Sequence, residues 1–385
     1  MDFALAETHE RARDTACAFG RRAIAPTAAA RDREQRWEPG LFLEMGAEGL
    51  LGAPFPPRYG GRGNSAFETV LLQEGFGEGS EDAGIALAWG THTFLCGVPI
   101  WMLGTEAQRQ RYLPPMCTGS WIGGYAASEP TAGSEPTAIR TRAVKRGDRW
   151  ILDGSKTWVT NGPIGHHFLV TAQTDPERGA AGIAVFIVEP GFPGVRVGRR
   201  IETLGLRTAM ISELVFEGCE VPEENRLGAA DGGERAVGPL IARWERTCLF
   251  AHWLGFMKAA RERCTQWATE RLQFGRPISH FQAVRTTLVD MKISHTLARR
   301  LSYRAAVSLD QMAAHVDRDA AVAKLYLSES AQKTIRGALQ LHGAHGLVAD
   351  QPLERAYRDA TALTIAAGSS ELLRSVIAGS LLHLG

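Results

Sequence analysis

The sequence predicts a multidomain α+β protein with a helical N-terminal domain, a middle β-barrel domain and a C-terminal four-helix bundle. Short strand-like runs separated by turn residues occupy residues 121–228, and longer helix-like stretches lie on both sides of them. At 385 residues the chain is long enough for two or three domains with cores of their own. We place the domains at residues 1–120, 121–230 and 231–385.

The N-terminal domain is predicted to be mostly helical. An apolar helix with Leu43, Met45, Leu50 and Leu51 is expected to run into a proline- and glycine-rich break over residues 54–63. Further helices are expected near 66–77, 83–100 and 105–113. The last should end at the Pro-Pro pair that follows it, because proline removes a backbone donor.

The middle domain is predicted to be all-β with about seven strands. Turn pairs such as Asp153-Gly154 and Asn161-Gly162 separate runs that are rich in β-branched and aromatic residues. The predicted strands are 121–127, 139–144, 150–152, 156–160, 167–172, 182–188 and 212–216.

The C-terminal domain has helix-like periodicity, with glycine breaks near 275 and 343–346. Four long amphipathic helices are typical of a bundle, and bundles commonly self-associate through an uncovered face. We therefore expect a homo-oligomer, either a dimer or a tetramer. The predicted helices are 233–269, 279–311, 316–343 and 352–384.

Composition and charge exclude several classes of function. The chain has 43 Lys and Arg against 42 Asp and Glu, so no strong field would steer it to nucleic acid. The first residues are acidic and lack a signal-peptide pattern, and no membrane span is expected. The six cysteines are scattered, and neither they nor the eleven histidines show metal-ligand spacing. We therefore expect a cytoplasmic protein without a metal.

One carboxylate, Glu245, lies on an otherwise apolar helix face between Ile241 and Leu249. Burying an unpaired charge is costly, so such a group usually has an ion-pair partner, a raised pKa or a catalytic task. A salt bridge with Arg243 or Arg246 is the structural alternative to a functional role.

Six separated motifs point to one protein family. They are GYAASEPTAGS (124–134), KTWVTNG (156–162), RLQFGRPI with FQ (271–282), QLHGAHG (340–346), ERAYRD (354–359) and AGSSE (367–371). In order and spacing these motifs closely resemble the acyl-CoA dehydrogenase family, and the resemblance covers essentially the whole chain. It implies a flavoprotein that binds FAD and oxidises an acyl thioester.

The resemblance also implies which residues bind FAD. Hydroxyl groups, an indole ring and a glycine in the first two motifs would hold the flavin, with Thr160 near its N5 edge. Residues of the third motif would bind the pyrophosphate and adenine side across a subunit boundary. The cofactor-binding residues so implied are Tyr125, Ser128, Gly133, Ser134, Trp158, Thr160, Arg271, Phe274, Gln282, Gln340, Gly343, Ser369 and Glu371. Taken singly, each has a structural alternative: a turn, a surface charge, a helix break or a helix cap.

The catalytic loop departs from most of the family. Most members carry Tyr-Glu-Gly-Thr there and use its glutamate as the base, whereas this chain has Ala367 followed by Gly368. A minority carry the base on the first C-terminal helix, immediately before an arginine, and Glu245-Arg246 matches that arrangement. The resemblance then implies that Glu245 removes the α proton, the backbone N–H of Ala367 binds the thioester oxygen and flavin N5 accepts the hydride. Electrons would pass on to an electron-transfer flavoprotein.

The acyl group and its carrier stay open. Residues 244–255 also resemble the dehydrogenases of prolyl groups tethered to a peptidyl carrier protein in secondary metabolism, and no basic cluster suits the CoA nucleotide. Arg246 favours the alternative, a free short or branched acyl-CoA, because the family can contact the CoA nucleotide there. His92 is either structural or a specificity contact. The substrate residues implied are Thr91, His92, Phe94, Leu95, Ser134 and Arg246.

Two other classes of function remain possible. One is a flavin oxidase or monooxygenase on the same fold, since loss of the loop glutamate occurs there too. The other is an inactive relative that serves as a structural or binding partner.

Overall fold

The computed structural model describes residues 5–228 and 233–382. Helices form both ends of this chain and a sheet forms the middle, as the sequence predicts. The N-terminal helices are α1 (Glu7–Phe19), α2 (Ala25–Glu34), α3 (Pro39–Ala47), α4 (Ala66–Ser80), α5 (Ala83–Gly90), α6 (Val98–Leu103) and α7 (Glu106–Thr118). Helix α3 ends before Gly49, whose φ is 68°, so the prediction that Leu50 and Leu51 belong to it was wrong.

Helix α7 continues beyond the predicted end at its two prolines. A capping box of Thr105 and Gln108 starts the helix, and Gly119, with φ 77°, ends it. Met116 and Cys117 are buried in the last turn. Their apolar packing offsets the hydrogen bond lost at each proline, so the prediction of an end near residue 113 was wrong.

One helical stretch, Ala83–Leu103, is long and apolar enough to cross a membrane by length and composition. No such stretch was predicted from the sequence. Its apolar 18-residue window is buried inside the protein, although Met102 near the end of the stretch is exposed, and a buried core helix passes the same test. It contains α5, the π-helical segment Thr91–Gly97 and α6.

The middle domain is one sheet in the order β6-β7-β3-β2-β4-β5-β8, with β1 parallel to β4. Within the described chain β6 and β8 lie at the two ends of this path, so the pairing does not establish the predicted barrel. The strands are β1 (Gly123–Ala126), β2 (Arg142–Arg146), β3 (Arg149–Thr160), β4 (His167–Gln173), β5 (Ile183–Val188), β6 (Val195–Arg200), β7 (Ile211–Pro222) and β8 (Arg226–Leu227).

Two of these strands have no clear signal in the sequence. Strand β6 carries three arginines and one glycine and is mostly exposed, and β8 has two residues. By contrast, the predicted runs 150–152 and 156–160 belong to the single strand β3, whose pairing with β7 has two irregularities. An irregularity re-aims side chains without ending a strand.

The C-terminal domain departs from four long helices at two places. The first predicted helix is interrupted at Glu245 by a π-helical segment, and the last is divided by the loop 361–369. Helices α9, α10 and α11 pack on one another, and α12 and α13 pack on α11. The elements are α8 (Gly233–Trp244), the π-helical segment Glu245–Leu249, α9 (His252–Glu270), β9 (Leu272–Gln273), β10 (Arg276–Pro277), α10 (Gln282–Asp310), α11 (Val316–His342), α12 (Pro352–Ala360) and α13 (Ser370–Leu382).

The N- and C-terminal domains meet where α4 crosses α9 at glycines. A Cβ atom on Gly255 would lie 2.1 Å from the carbonyl oxygen of Glu74, and one on Gly77 would lie 1.9 Å from that of His252. The two helix backbones therefore touch, and a side chain at either glycine would separate them.

Replacing Gly255 by alanine is expected to lower the free energy of unfolding by about 1–3 kcal/mol, because the added methyl group collides with backbone. The midpoint of thermal unfolding measures this loss. Gly40→Ala in α3 is the matched control, since nothing lies within 4 Å of a Cβ there. Equal midpoints for both variants would contradict the close crossing.

Candidate active site

Glu245 is the first residue of the π-helical segment between α8 and α9. A π-helical turn holds one extra residue, and such turns are frequent at functional sites. Within residues 5–228 and 233–382, Glu245 forms no salt bridge: Arg243 pairs with Asp317 at 2.8 Å, and the buried Nε of Arg246 has no hydrogen-bond partner. The structural alternative for Glu245, an ion pair with a neighbouring arginine, is therefore absent.

The surroundings of Glu245 suit a base. The side chain keeps partial exposure, yet burial raises its pKa, while the charges of Arg246 and Lys324 act in the opposite direction. A carboxylate with a raised pKa accepts a proton more readily than an ordinary one. The positive charges of Arg246 and Lys324 limit the rise in the pKa of Glu245.

The loop 361–369 contacts Lys324, the lysine whose charge acts on Glu245. Its Ala367 has φ 55°, a left-handed conformation that is rare for residues with a side chain, and Gly368 follows with φ 87°. Nζ of Lys324 donates hydrogen bonds to the carbonyl oxygens of Leu363, at 2.8 Å, and Gly368, at 2.7 Å. One buried lysine thus links the loop with the surroundings of Glu245.

Lys324 was not predicted as a site residue, although the sequence contains a signal for it. Like Glu245, it is a charge on an apolar helix face, and Ala320, Ala321 and Leu327 around it are buried.

Four of the predicted substrate residues, Thr91, His92, Phe94 and Leu95, lie on the π-helical segment Thr91–Gly97 and are buried. Phe94 stacks on Trp244, with ring centroids 6.0 Å apart, so this segment packs beside the residue that precedes Glu245. The N–H of Gly123 donates to Nδ1 of His92 at 3.1 Å, and Nε2 lies 3.2 Å from the carbonyl oxygen of Met116. Both ring nitrogens of His92 therefore have backbone partners, as its structural alternative expects.

The first two family motifs are joined by a buried ion pair that the sequence analysis did not identify. Nζ of Lys156 lies 2.8 Å from Oε1 of Glu129, and both side chains are buried. Oε1 of Glu129 also accepts the N–H and the hydroxyl of Thr141, and Oε2 accepts the N–H of Arg140. The carbonyl of Ser128 accepts the N–H of Thr157 at 2.9 Å. This network fixes the loop after β1 against β3.

The flavin-side residues of the prediction surround this network. Tyr125 lies on β1 and Thr160 ends β3. Trp158 has φ 59° and a ring that is 59% exposed, at an irregularity of β3. Gly133 and Ser134 are exposed, and nothing lies within 4 Å of a Cβ on Gly133. The indole face and the open glycine loop leave room for a flat ring system.

The residues predicted for the pyrophosphate side gather at one end of the C-terminal domain. Arg271 and Phe274 lie at the β9–β10 hairpin, with Gln282 at the start of α10. The guanidinium of Arg271 lies 5.8 Å from the Trp267 ring, which stacks on His342, the neighbour of Gly343. Phe274 is 91% exposed.

The end of α11 completes this second group. Gly343 has φ 59° and ψ −139°, a combination that essentially only glycine adopts. Gln340 borders a groove of about 420 Å³ between α10 and α11, which Lys333 and Arg336 also line. This group suits the phosphates and adenosine of FAD. It combines the guanidinium of Arg271, the basic side chains of Lys333 and Arg336 at the groove, and the open turn at Gly343.

Ser369 and Glu371 lie at the start of α13. The hydroxyl of Ser369 accepts the N–H of Leu372 at 3.2 Å, so it caps the helix. The backbone N–H of Glu371 and the side chain of Ser369 lower the pKa of the exposed Glu371 carboxyl. The cap fixes the chain direction immediately after Gly368.

The motif 354–359 joins α12 to the middle domain. The N–H of Leu206 donates to Oδ1 of Asp359 at 2.5 Å, and Arg358 pairs with Asp32 at 2.6 Å. Burial raises the pKa of Asp359 to about 7; the Leu206 N–H opposes that rise and the charge of Asp82 adds to it. A carboxyl at this domain contact therefore titrates near neutral pH.

Replacing Asp359 by asparagine is expected to flatten the pH dependence of stability. Because the folded-state pKa is raised from 3.8 to about 7, this carboxyl contributes stability that is present below 3.8 and is lost as the pH rises through 7. About three pKa units correspond to roughly 4 kcal/mol as an upper limit. Urea unfolding at about pH 5 and about pH 8 should show a smaller difference for the variant than for the wild type.

Asp317→Asn, at a half-exposed carboxylate, is the control for this experiment. A wild-type pH dependence in Asp359→Asn would show that Asp359 does not hold a proton in the folded protein.

Models of three acyl-CoA dehydrogenase domains match the chain: the N-terminal domain over residues 6–120, the middle domain over 124–219 and the C-terminal domain over 237–382. A short-chain-specific acyl-CoA dehydrogenase of Clostridium acetobutylicum is 35% identical over 99% of this chain and 100% of its own. An L-prolyl-[peptidyl-carrier protein] dehydrogenase of Pseudomonas fluorescens is 36% identical over 87% of this chain and 88% of its own.

Solved structures agree with these relatives. The prolyl acyl carrier protein oxidase AnaB has a TM-score of 0.95 at 34% identity, covering 98% of this chain and all of its own. The FAD complex of PigA has a TM-score of 0.97 at 30% identity over both full chains. A chain from the structure of the electron-transferring flavoprotein of Acidaminococcus fermentans has a TM-score of 0.95 at 36% identity, covering 99% of this chain and all of its own. The protein belongs to the acyl-CoA dehydrogenase family and is an FAD-dependent acyl-thioester dehydrogenase.

Proposed function

We propose that this protein catalyses α,β-dehydrogenation of an acyl or aminoacyl thioester that is bound to a carrier protein in a biosynthetic pathway. The observation that carries the chemistry is Glu245: a carboxylate without an ion pair, on a π-helical segment beside an aromatic stack. The loop that presents Ala367 accepts a hydrogen bond from Lys324, and the charge of that lysine also acts on Glu245. These features supply a base and a backbone donor on the two sides of one site.

In this proposal Glu245 accepts the α proton of the thioester. FAD, when bound, supplies the acceptor for the hydride that leaves the β carbon. The N–H of Ala367 donates to the thioester oxygen as negative charge develops there, and such a donor contributes about 3–4 kcal/mol in comparable sites. The stacked rings of Phe94 and Trp244 exclude water beside the base, which strengthens these interactions.

The carrier-protein assignment rests on the similarity of residues 244–255 and on relatives. A prolyl-carrier-protein dehydrogenase and the structure of the prolyl acyl carrier protein oxidase AnaB match 87% and 98% of the chain. Arg246 supports the alternative of a free acyl-CoA, since its buried Nε lacks a partner and could bind a polar group of the CoA. Short-chain acyl-CoA dehydrogenases match over the same length.

Thioesters on the two carriers should reduce the flavin at different rates. One acyl group, prolyl or butyryl, would be loaded on CoA and on a peptidyl carrier protein, and anaerobic bleaching of the flavin measured at equal concentrations. Faster reduction by the carrier-bound thioester is expected, because a carrier protein adds a contact surface at the channel mouth. Equal or faster reduction by the CoA ester would reject the carrier preference.

An oxidase is the second candidate function, favoured by the similarity to the oxidase AnaB. It differs from a dehydrogenase in the fate of the electrons. Oxygen consumption with peroxide release during turnover would establish the oxidase. Reduction of an electron-transfer flavoprotein, the acceptor we propose, would establish the dehydrogenase.

We also propose that the protein is a cytoplasmic homo-oligomer that binds FAD at a subunit contact. The exposed ring of Phe274 and the exposed, charged side chain of Arg271 at the same hairpin support this proposal, because both are accessible to a second subunit. Sedimentation of the FAD-bound protein would test it, and a monomer at micromolar concentration would reject it.

A further inference from the structure

Lys324 is buried in the centre of the C-terminal domain, with no exposed side-chain area. Its Nζ donates to the carbonyl oxygens of Leu363 and Gly368, which lie on the two sides of Ala367. The same atom lies 5.6 Å from the centre of the Phe250 ring. An ammonium group has three donors, so two carbonyls and one ring face account for all of them.

An ordinary buried lysine is neutralised by a carboxylate at close range. Lys156 is of that kind, with Glu129 at 2.8 Å. Lys324 has no carboxylate within ion-pair distance among the described residues, and burial lowers its pKa to about 8 while the charge of Glu245 raises it. The fold therefore keeps a costly cation between the loop and Glu245.

We propose that Lys324 is a positioning residue for the dehydrogenation: it holds the Ala367 N–H in its orientation, and its charge keeps Glu245 ionised before substrate deprotonation. The inference rests on the proposed function, since it takes Glu245 as the base. One hydrogen bond before Ala367 and one after it restrain the loop. This restraint holds the unfavourable left-handed backbone conformation of Ala367 in place. The charge of Lys324 acts to lower the pKa of Glu245, because a nearby positive charge favours the ionised form of a carboxyl.

Other charged groups around the π-helical segment are already paired. Arg243 of α8 pairs with Asp317, and Glu74 of α4 pairs with Arg299 of α10. Asp310 of α10 accepts backbone N–H groups at the start of α4. Helix α5 carries no titratable residue.

Two further groups complete the electrostatic surroundings of Glu245. His92 on the segment Thr91–Gly97 is neutral at ordinary pH, since burial lowers its pKa to about 3. Arg246 adds a second positive charge from the same turn as Glu245. Arg246 and Lys324 are therefore the cations that oppose the effect of burial on the pKa of Glu245.

The test separates the two roles of Lys324 with two variants. Lys324→Met removes both the charge and the hydrogen bonds, whereas Lys324→Arg keeps the charge and changes the geometry of the donors. The readout is deuterium exchange at the α carbon of acetyl-pantetheine in D₂O, followed by mass spectrometry. This thioester has α hydrogens and no β carbon, so only proton transfer to and from Glu245 can occur.

In the pH profile of the exchange rate, the acidic limb is the fall in rate towards low pH. For Lys324→Met, this limb should lie at a pH that is higher by about one unit or more, because the lost charge no longer favours the ionised carboxylate. Its maximal rate should fall at least ~10-fold because the loop donor is misplaced. Lys324→Arg should keep the wild-type pH limb and lose only maximal rate. Lys258→Met in α9, where the lysine pairs with Glu78 and Glu262, should change neither quantity.

Should Lys324→Met not fold, Lys324→Gln retains a donor without the charge and should show the same shift of the pH limb. A wild-type limb and rate in these uncharged variants would overturn the inference. Glu245→Gln separates this failure from that of the proposed function. If Glu245→Gln exchanges deuterium at the wild-type rate, Glu245 is not the base and the proposed function fails. If Glu245→Gln loses exchange but Lys324→Met has the wild-type pH profile, only the role of Lys324 is rejected.

Discussion

Replacing Glu245 by glutamine is expected to slow flavin reduction by a thioester more than ~100-fold, the low end for loss of a positioned general base. Glutamine has nearly the same shape and cannot accept the α proton. The carboxylate forms no ion pair with a described residue, so fold and FAD content should be unchanged. Stopped-flow bleaching of the flavin under anaerobic conditions measures the effect.

Glu262→Gln is the matched control, since this glutamate lies half-exposed on α9. Adding Ala367→Glu to Glu245→Gln should restore part of the rate if positions 245 and 367 flank the same α carbon. Wild-type reduction in the single variant would falsify the assignment of the base.

Replacing Lys156 by methionine is expected to lower the free energy of unfolding by about 3–5 kcal/mol, because it leaves a buried carboxylate without its cation. Glu129 and Lys156 are both buried, and Glu129 also holds the backbone at Arg140 and Thr141. Their network supports the loop that carries Ser128, so FAD should dissociate more readily as well. Urea unfolding and the FAD content after gel filtration measure the two effects.

A double variant tests the cause of this loss. Glu129→Gln with Lys156→Met removes both charges and should be less destabilised than Lys156→Met alone. Arg149→Met breaks an exposed pair with Glu220 and should cost less than about 1 kcal/mol. A loss in Lys156→Met no greater than in Arg149→Met would show that the buried pair does not stabilise the middle domain.

The elements that the sequence predicts well are those whose residues mark their own ends. Turn pairs such as Asn161-Gly162 separate the middle strands, and Asn161 indeed has φ 68°. Glu245 could be singled out because a charge on an apolar stripe is physically unusual, and the family resemblance then gave it a role. Its placement without an ion pair required the structure.

The remaining features depend on packing that periodicity does not encode. One extra residue per turn at Glu245 leaves the apolar pattern of a helix nearly unchanged, so residues 233–269 were predicted as continuous. The loop 361–369 is rich in alanine and also continues a helical pattern, although Ile365 within it is exposed. Side chains of α11 bind the carbonyl groups of this region: Gln332 binds that of Ala360, where α12 ends, and Lys324 binds two from 39 and 44 residues away along the chain.

The left-handed backbone at Ala367 bears on how this family can change its chemistry through evolution. The steric penalty of that conformation, about 1–2 kcal/mol, falls on any residue with a Cβ atom. Exchanging alanine and glutamate there therefore leaves the loop and its N–H where they are. On the proposed assignments, a lineage can lose the acid from this loop and gain the base 122 residues earlier, at Glu245, while the proposed donor to the thioester oxygen stays in place. The two halves of enolate formation, removing the proton and stabilising the oxygen, are then free to evolve separately.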